Sequence, residues 1–137
     1  MVCGCASAAA TKPQRIAVER QTVQRLIGPE RTSFLKFELE RGDAQRQKVA
    51  LQDLSWRYRH GEVLSSESRN SIEFIVCGIV LQPQQDPKVA RWCLNAIAQM
   101  GRREYSNSYV EQALKKYEER PEIVAAGVAA ICQLNAG

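Results

Sequence analysis

One short sequence pattern recurs three times along the chain of 137 residues. Each copy places a polar residue beside a turn and follows it with small and branched apolar residues at helical spacing. The copies start at Asp43, Asp86 and Arg120, so successive starts are 43 and 34 residues apart. Such spacing is typical of arrays of helical hairpins, in which each repeat packs against its neighbours. The repeat therefore predicts an all-α chain of stacked helix pairs.

The remaining segments also carry apolar residues at three and four residue steps. The predicted helices cover residues 13–27 as an N-terminal cap, then 32–40, 43–59, 68–81, 86–101, 106–117 and 121–134. Residues 34–39 alternate as a strand would, and residues 68–81 are rich in β-branched side chains. Helix is preferred for both because strong turn or helix signals follow them, Gly42-Asp43 in the first case and Asp86-Pro87 in the second.

Several of the predicted helix boundaries depend on one or two capping or helix-breaking residues. Gly28-Pro29 would end the N-terminal capping helix, and Thr32 or Ser33 would cap the helix that follows. Asp86 is the clearest start signal, because Pro87 then occupies the first helical position, where a missing N–H costs nothing. In the helix that starts at Asp43, we expect Asp53 and Arg57 to lie largely outside the core.

The second copy of the pattern carries a family resemblance. It reads Asp86-Pro87-Lys88-Val89-Ala90-Arg91, followed by Leu94, Ala96, Ile97 and Gly101. This phrase resembles the second helix of HEAT repeats. The first copy lacks the proline, and the third has Arg120 where the family favours Asp. The resemblance covers about 32–134 and implies a short right-handed α-solenoid of about three hairpins, with a curved protein-binding surface and a scaffold or adaptor role.

Composition sets the class and the compartment. The chain is 45% hydrophobic and 25% charged, as in ordinary soluble domains. Its longest apolar run, 74–81, is too short to cross a bilayer, and its start lacks a secretory signal pattern. We expect a cytoplasmic protein that does not engage membranes, with a flexible tail at 1–12 and a repeat domain at 13–137. Cys77, Cys93 and Cys132 lie in apolar stretches and are expected to be buried thiols.

The residues for common catalytic sites are sparse. Nucleophilic catalysis would need His60, the only histidine, next to a reactive group. His60 stands instead at the C-terminal end of a predicted helix, where the helix dipole stabilises a cationic side chain. No glycine-rich phosphate loop is present. Cys3 and Cys5 with one distant histidine cannot complete a zinc site, although such a pair could carry a lipid. We therefore predict no enzyme activity, no cofactor and no metal.

The strongest candidate for a binding patch combines aromatic and basic residues. It consists of Trp56, Arg57, Arg59 and His60, and a candidate extension at another helix junction consists of Arg102, Arg103 and Tyr105. Such groups suit protein hot spots, and they also suit stacking on single-stranded nucleic acid. The alternative is that Tyr58 packs inward and the rest is a solvated face. Positive charge is concentrated in residues 1–60, which have 11 Lys/Arg against 6 Asp/Glu, while residues 61–137 have 8 against 9.

A second candidate surface lies on the last helix. Residues 123–133 carry no charge, whereas a terminal repeat normally needs a polar outer face. We expect Val124, Val128 and Ile131 to be covered by a partner, a second copy, the N-terminal tail or further repeats. The predicted function is a non-enzymatic protein–protein interaction module. The alternative is a helical-repeat protein that binds nucleic acid through its basic N-terminal half.

Overall fold

The computed structural model describes residues 28–83 and 86–136, and this part of the chain consists of six helices without a strand. The helices are α1 (Gly28–Arg41), α2 (Ala44–Arg59), α3 (Ser66–Val80), α4 (Pro87–Met100), α5 (Arg103–Lys116) and α6 (Pro121–Leu134). The all-α prediction is confirmed, including the choice of helix for the two segments with strand-like composition. The predicted tail 1–12 and the predicted capping helix 13–27 lie outside the described residues.

The helices contact one another in a regular order. Consecutive helices pair as three hairpins, α1 with α2, α3 with α4, and α5 with α6. Odd-numbered helices also contact odd-numbered ones, α1 with α3 and α3 with α5, and even-numbered helices do the same, α2 with α4 and α4 with α6. The contacts of α4 with α2 and α6 are the most extensive. Helix α4 is therefore the central helix of the described part.

The apolar core follows from the helical period of the sequence. In α4, Val89, Cys93, Leu94 and Ile97 recur at three and four residue steps and all are buried. Large side chains from the other helices complete the core: Leu35, Leu39, Leu51, Leu54, Ile72, Val76, Val80 and Ile123. Burial of each such side chain contributes about 1.5–3 kcal/mol to the free energy of folding. Within the described residues, no helix has the length and apolar character needed to cross a membrane.

The predicted N-terminal cap is confirmed for α4 and is wrong for α1. Asp86 caps α4 by accepting the Lys88 N–H at 2.8 Å, with Pro87 at the first helical position, as predicted. Gly28-Pro29 forms the first turn of α1, so Thr32 and Ser33 lie inside that helix and are not its caps. Proline is well tolerated there because its N–H is not needed in the first turn.

Helix α5 begins earlier than predicted, at Arg103 and not at Ser106 or Asn107. Its cap comes from another helix, because the backbone N–H of Arg102 donates to Glu73 Oε2 of α3 at 2.7 Å. The Ser106 hydroxyl donates to the same oxygen and is fully buried. A carboxylate from α3 thus replaces the local cap that the sequence suggested.

Two of the three thiols behave as expected. Cys77 and Cys93 are buried, and burial raises the pKa of the Cys77 thiol to about 11 and raises that of Cys93 further. Cys132 is exposed, so its predicted burial is wrong. Its helix packs through other residues, since Ile123, Ala126 and Ala130 are the buried side chains of α6.

Candidate functional site

Two tryptophans from neighbouring helices line one surface cleft. Trp56 of α2 and Trp92 of α4 surround it together with Gln52, Ser55 and Arg59. These five residues form what we call the aromatic cleft, with a volume of about 180 Å³. Positions 52, 55, 56 and 59 share one face of α2 because they are separated by one helical turn. The packing of α4 on α2 adds Trp92 to that face.

Each tryptophan is held by a cationic or polar neighbour. The Trp56 ring stacks on His60, with ring centroids 4.1 Å apart, and His60 Nδ1 lies 2.8 Å from the Trp56 carbonyl oxygen. The Arg91 guanidinium lies 5.8 Å from the centre of the Trp92 ring. Even so, 40% of Trp56 remains exposed. A large, oriented and accessible aromatic ring is the usual anchor of a protein interface.

A buried hydroxyl also lines the aromatic cleft. Ser55 is almost completely buried, and its Oγ has no hydrogen-bond partner among the described residues. A buried polar group left in that state costs about 1–3 kcal/mol. The wall of the aromatic cleft therefore contains one buried hydroxyl group that lacks a hydrogen-bond partner in the described part of the chain.

The surroundings of the aromatic cleft are basic. A neighbouring cleft of about 200 Å³, at the starts of α2 and α4, is lined in part by Lys48, Lys88 and Asp86. Arg59 and Arg91 are exposed near the tryptophans. Four cations against the two helix-capping carboxylates of Asp43 and Asp86 give this face of α2 and α4 a net positive charge, which favours acidic partners.

Arg57 does not belong to this face. It is buried, its Nε donates to Asp53 Oδ2 at 3.1 Å, and its Nη1 donates to Glu62 Oε1 at 2.9 Å. Asp53 is fully buried as well. The expectation that Asp53 and Arg57 lie outside the core is therefore wrong. Their spacing of one helical turn lets the two charges neutralise each other on the buried side of α2.

Arg102 and Tyr105, which belong to the second part of the predicted patch, make structural contacts between α3 and α5. Arg102 Nε donates to Glu73 Oε1 at 2.8 Å, and its guanidinium lies 5.3 Å from the centre of the Tyr105 ring. Tyr105 in turn stacks on Tyr109. These contacts hold the start of α5 against α3. Arg103 is exposed.

The outer face of α6 is apolar. Val128 is 49% exposed, and Val124 and Ile131 are half-buried. On the inner side, a Cβ added to Gly127 would lie 2.6 Å from Leu114 Cδ2, so a larger residue at this position would require the Leu114 side chain to shift. Whether another molecule covers the outer face of α6 remains a prediction.

Trp92 and Ser55 were not predicted as site residues. Trp92 stands beside the buried Cys93, in the helix with the clearest apolar face. The low number of tryptophans could have indicated this site, since the chain has two of them and both line the aromatic cleft. No local pattern marks Ser55.

Comparison with known proteins gives no match to a family model, a curated protein or a solved structure. The resemblance to HEAT repeats therefore stays a prediction. Among the described residues, no group of three or more His, Cys, Asp or Glu side chains could hold a metal ion.

Proposed function

We propose that the protein is a short right-handed α-solenoid of three HEAT-like hairpins and acts as a non-enzymatic interaction module. Its partner would be another protein, docked on the aromatic cleft. The observation that carries the proposal is the convergence of Trp56, Trp92 and Arg59 on one cleft of the α2 and α4 face. Tryptophan and arginine are the residue types most enriched among interface hot spots.

The contact order of the helices supports the solenoid. In such an array, each hairpin stacks on the next, so that first helices contact first helices and second helices contact second helices. The contacts of α1 with α3, α3 with α5, α2 with α4 and α4 with α6 follow that order. Its handedness comes from the family resemblance alone.

The dimensions of the aromatic cleft favour an anchoring side chain over a small molecule. Pockets for small ligands usually enclose about 300–1,000 Å³, whereas the aromatic cleft has about 180 Å³. One apolar or aromatic side chain would fill this space. Flanking acidic residues of the partner would meet Arg59, Arg91 and Lys88.

The chemistry of the reactive residues supports a non-enzymatic role. Raised thiol pKa values make Cys77 and Cys93 poor nucleophiles. The ring of His60 is engaged with Trp56. A reducing, cytoplasmic location is part of the proposal and rests on these two free buried thiols.

Capture experiments with matched variants test the proposal. Wild-type protein, Trp56→Ala, Trp92→Ala and Phe74→Ala would be compared by affinity capture and quantitative mass spectrometry. Phe74 is the control because it is an exposed aromatic residue on α3, away from the α2 and α4 face. A partner that binds the aromatic cleft should be lost with either tryptophan variant and kept with Phe74→Ala. Its affinity, measured with purified proteins, should fall by about tenfold or more.

Full retention of every captured protein by both tryptophan variants would contradict this proposal. Circular dichroism of each variant would show that lost binding is not lost folding.

A nucleic-acid partner is the second candidate, favoured by Arg59 and Arg91 beside the two tryptophans and by Lys48 and Lys88 in the neighbouring cleft. Bases would stack on Trp56 and Trp92, and the cations would contact phosphates. Titration with a single-stranded oligonucleotide should then quench tryptophan fluorescence, with an affinity that falls steeply as salt rises and that weakens in Arg59→Ala. Absent or salt-independent binding would reject this candidate.

A second copy of the chain is the third possible partner, favoured by the apolar outer face of α6. Sedimentation of the wild type over a concentration series should then show a dimer that Val128→Glu abolishes. A wild-type protein that stays monomeric throughout would reject self-association.

A further inference from the structure

A larger cleft lies where α1 passes the first turn of α3. It has a volume of about 470 Å³ and is lined by Arg31 and Thr32 of α1 and by Ser65, Glu67 and Ser68 at the start of α3. Val63 and Leu64, which precede α3, complete its wall. We call it the α3 cleft. It lies apart from the aromatic cleft and shares no lining residue with it.

Arg31 is the most unusual residue of the α3 cleft. It is only 5% exposed, yet its Nε and Nη2 donate to no group in the described part of the chain. These two nitrogens form one edge of the guanidinium group. On α2, Arg46 uses the same two nitrogens to hold both carboxylate oxygens of Glu38. Arg31 therefore presents the donor pair that binds carboxylates and phosphates side by side.

Asp53, Tyr58 and Glu62 lie near Arg31 and act on its pKa in the opposite direction to burial, but none of them accepts a hydrogen bond from its Nε or Nη2. Asp53 Oδ2 accepts from Arg57, and Arg57 also pairs with Glu62. Burial, together with the nearby charge of Arg57, lowers the pKa of Arg31, but a guanidinium group stays protonated in proteins. Arg31 thus carries a full positive charge that is buried beside the α3 cleft.

Further donors face the α3 cleft from α3 itself. Ser65 Oγ accepts the Ser68 N–H at 3.2 Å, and Ser68 Oγ accepts from Thr32 at 3.0 Å. Both serine hydroxyls therefore keep their own protons for an outside acceptor. The backbone N–H groups of Ser66 and Glu67 have no intrahelical acceptor, and the helix dipole is positive at this end. Helix α3 has 15 residues, so its dipole is fully developed.

We propose that the α3 cleft binds a phosphate monoester. The Nε and Nη2 of Arg31 are buried in this structure, so a small outward movement of the guanidinium group would let the phosphate accept from them on one side and from the first turn of α3 on the other. Three terminal oxygens suit this many donors better than the two of a carboxylate. The apolar side chains of Val63, which is exposed, and Leu64 would contact the organic part of the ligand.

Glu67 opposes an anion in the α3 cleft and so provides an independent test. Among the described residues, Glu67 is the one acidic residue that lines the α3 cleft. Glu67→Gln keeps the size of the side chain and removes the repulsion. The variant should bind a phosphate monoester about threefold more tightly than the wild type.

The experiment uses the full chain, labelled with ¹⁵N, in a buffer free of phosphate. Phosphoserine is the probe, with inorganic phosphate and acetate in parallel. Phosphoserine should shift the amide signals of Ser66 and Glu67 with saturation. Inorganic phosphate should bind more weakly, because it leaves Val63 and Leu64 without a contact, and acetate should not saturate. Arg31→Met should weaken phosphoserine binding by about tenfold or more.

Several results would overturn the proposal. Absence of saturable shifts, or an unchanged affinity in Arg31→Met, would exclude a phosphate site. Acetate binding equal to that of phosphoserine would indicate a general carboxylate site, and equal binding of inorganic phosphate would exclude a monoester. Should Arg31→Met fail to fold, Glu67→Gln decides, since unchanged or weaker binding by that variant contradicts the proposal.

Discussion

Two fully buried carboxylates, Glu73 and Asp53, have different surroundings. Glu73 of α3 accepts from the backbone and side chain of Arg102 and from the Ser106 hydroxyl, and these groups lie in the next hairpin. Asp53 of α2 pairs with Arg57, one turn further along the same helix, and Arg31 lies near them with unpaired donors. The first set of contacts is complete and connects two hairpins, whereas in the second set Arg31 keeps two donors for a ligand. Buried charge thus stabilises the fold at one place and prepares a site at the other.

The largest expected effect comes from the complete set. Glu73→Ala would leave the Arg102 amide, its guanidinium group and the Ser106 hydroxyl without their acceptor. We expect the free energy of unfolding to fall by about 3 kcal/mol. Urea denaturation followed by circular dichroism measures this change. Glu111→Ala on the exposed side of α5 is the control, and it should stay within about 0.5 kcal/mol of the wild type. Equal losses of unfolding free energy in Glu73→Ala and Glu111→Ala would show that the buried contacts of Glu73 do not stabilise the fold.

Asp53→Ala should cost less, about 2 kcal/mol. Arg57 would lose one buried partner but keep Glu62, which is partly exposed. Urea denaturation again measures the loss. Adding Arg31→Met should recover part of it, because one of two buried cations is then removed. A double variant that is less stable than the sum of its single changes would contradict the proposed charge balance.

The thiol beside Glu73 should make stability depend on alkaline pH. Cys77 Sγ lies 3.4 Å from Ser106 Oγ, and its pKa is raised by burial to about 11. The unfolded chain therefore loses this proton first, so stability falls as the pH rises from about 9 to 11. The loss is about 1 kcal/mol at pH 10. Urea midpoints at pH 8 and pH 10 should differ more in the wild type than in Cys77→Ala, and identical differences would assign the effect to other groups.

The smallest effect is expected at Arg31. Arg31→Met removes a buried charge whose Nε and Nη2 have no described acceptor and replaces it with an apolar chain of similar length. Stability should stay unchanged or rise by up to about 1 kcal/mol. Thermal unfolding of the variant and the wild type makes the measurement. A large loss of stability would show that Arg31 supports the fold and would weaken the contrast with Glu73.

The helices and the apolar core could be predicted because their signals are local. Val89, Cys93 and Ile97 of α4 follow the helical period, and Asp86-Pro87 marks the start of that helix. The polar contacts could not be predicted in this way. Glu73 stands in an apolar run, and its partners lie 29 and 33 residues further along the chain. Arg57 and Arg59 are two residues apart, yet one is buried and the other exposed. Their environments depend on tertiary packing.

The cap of α5 has a consequence for the way the chain unfolds. Repeat arrays can lose their terminal units one at a time, since each unit contacts only its neighbours. Loss of the α5–α6 hairpin would leave the Glu73 carboxylate without the donors that Arg102 and Ser106 provide. Separate unfolding of the α5–α6 hairpin is therefore unfavourable, because it would leave a buried carboxylate without its hydrogen-bond donors. Amide hydrogen exchange in α3 and α5 should proceed through one shared opening event of equal free energy, as in a single cooperative unit.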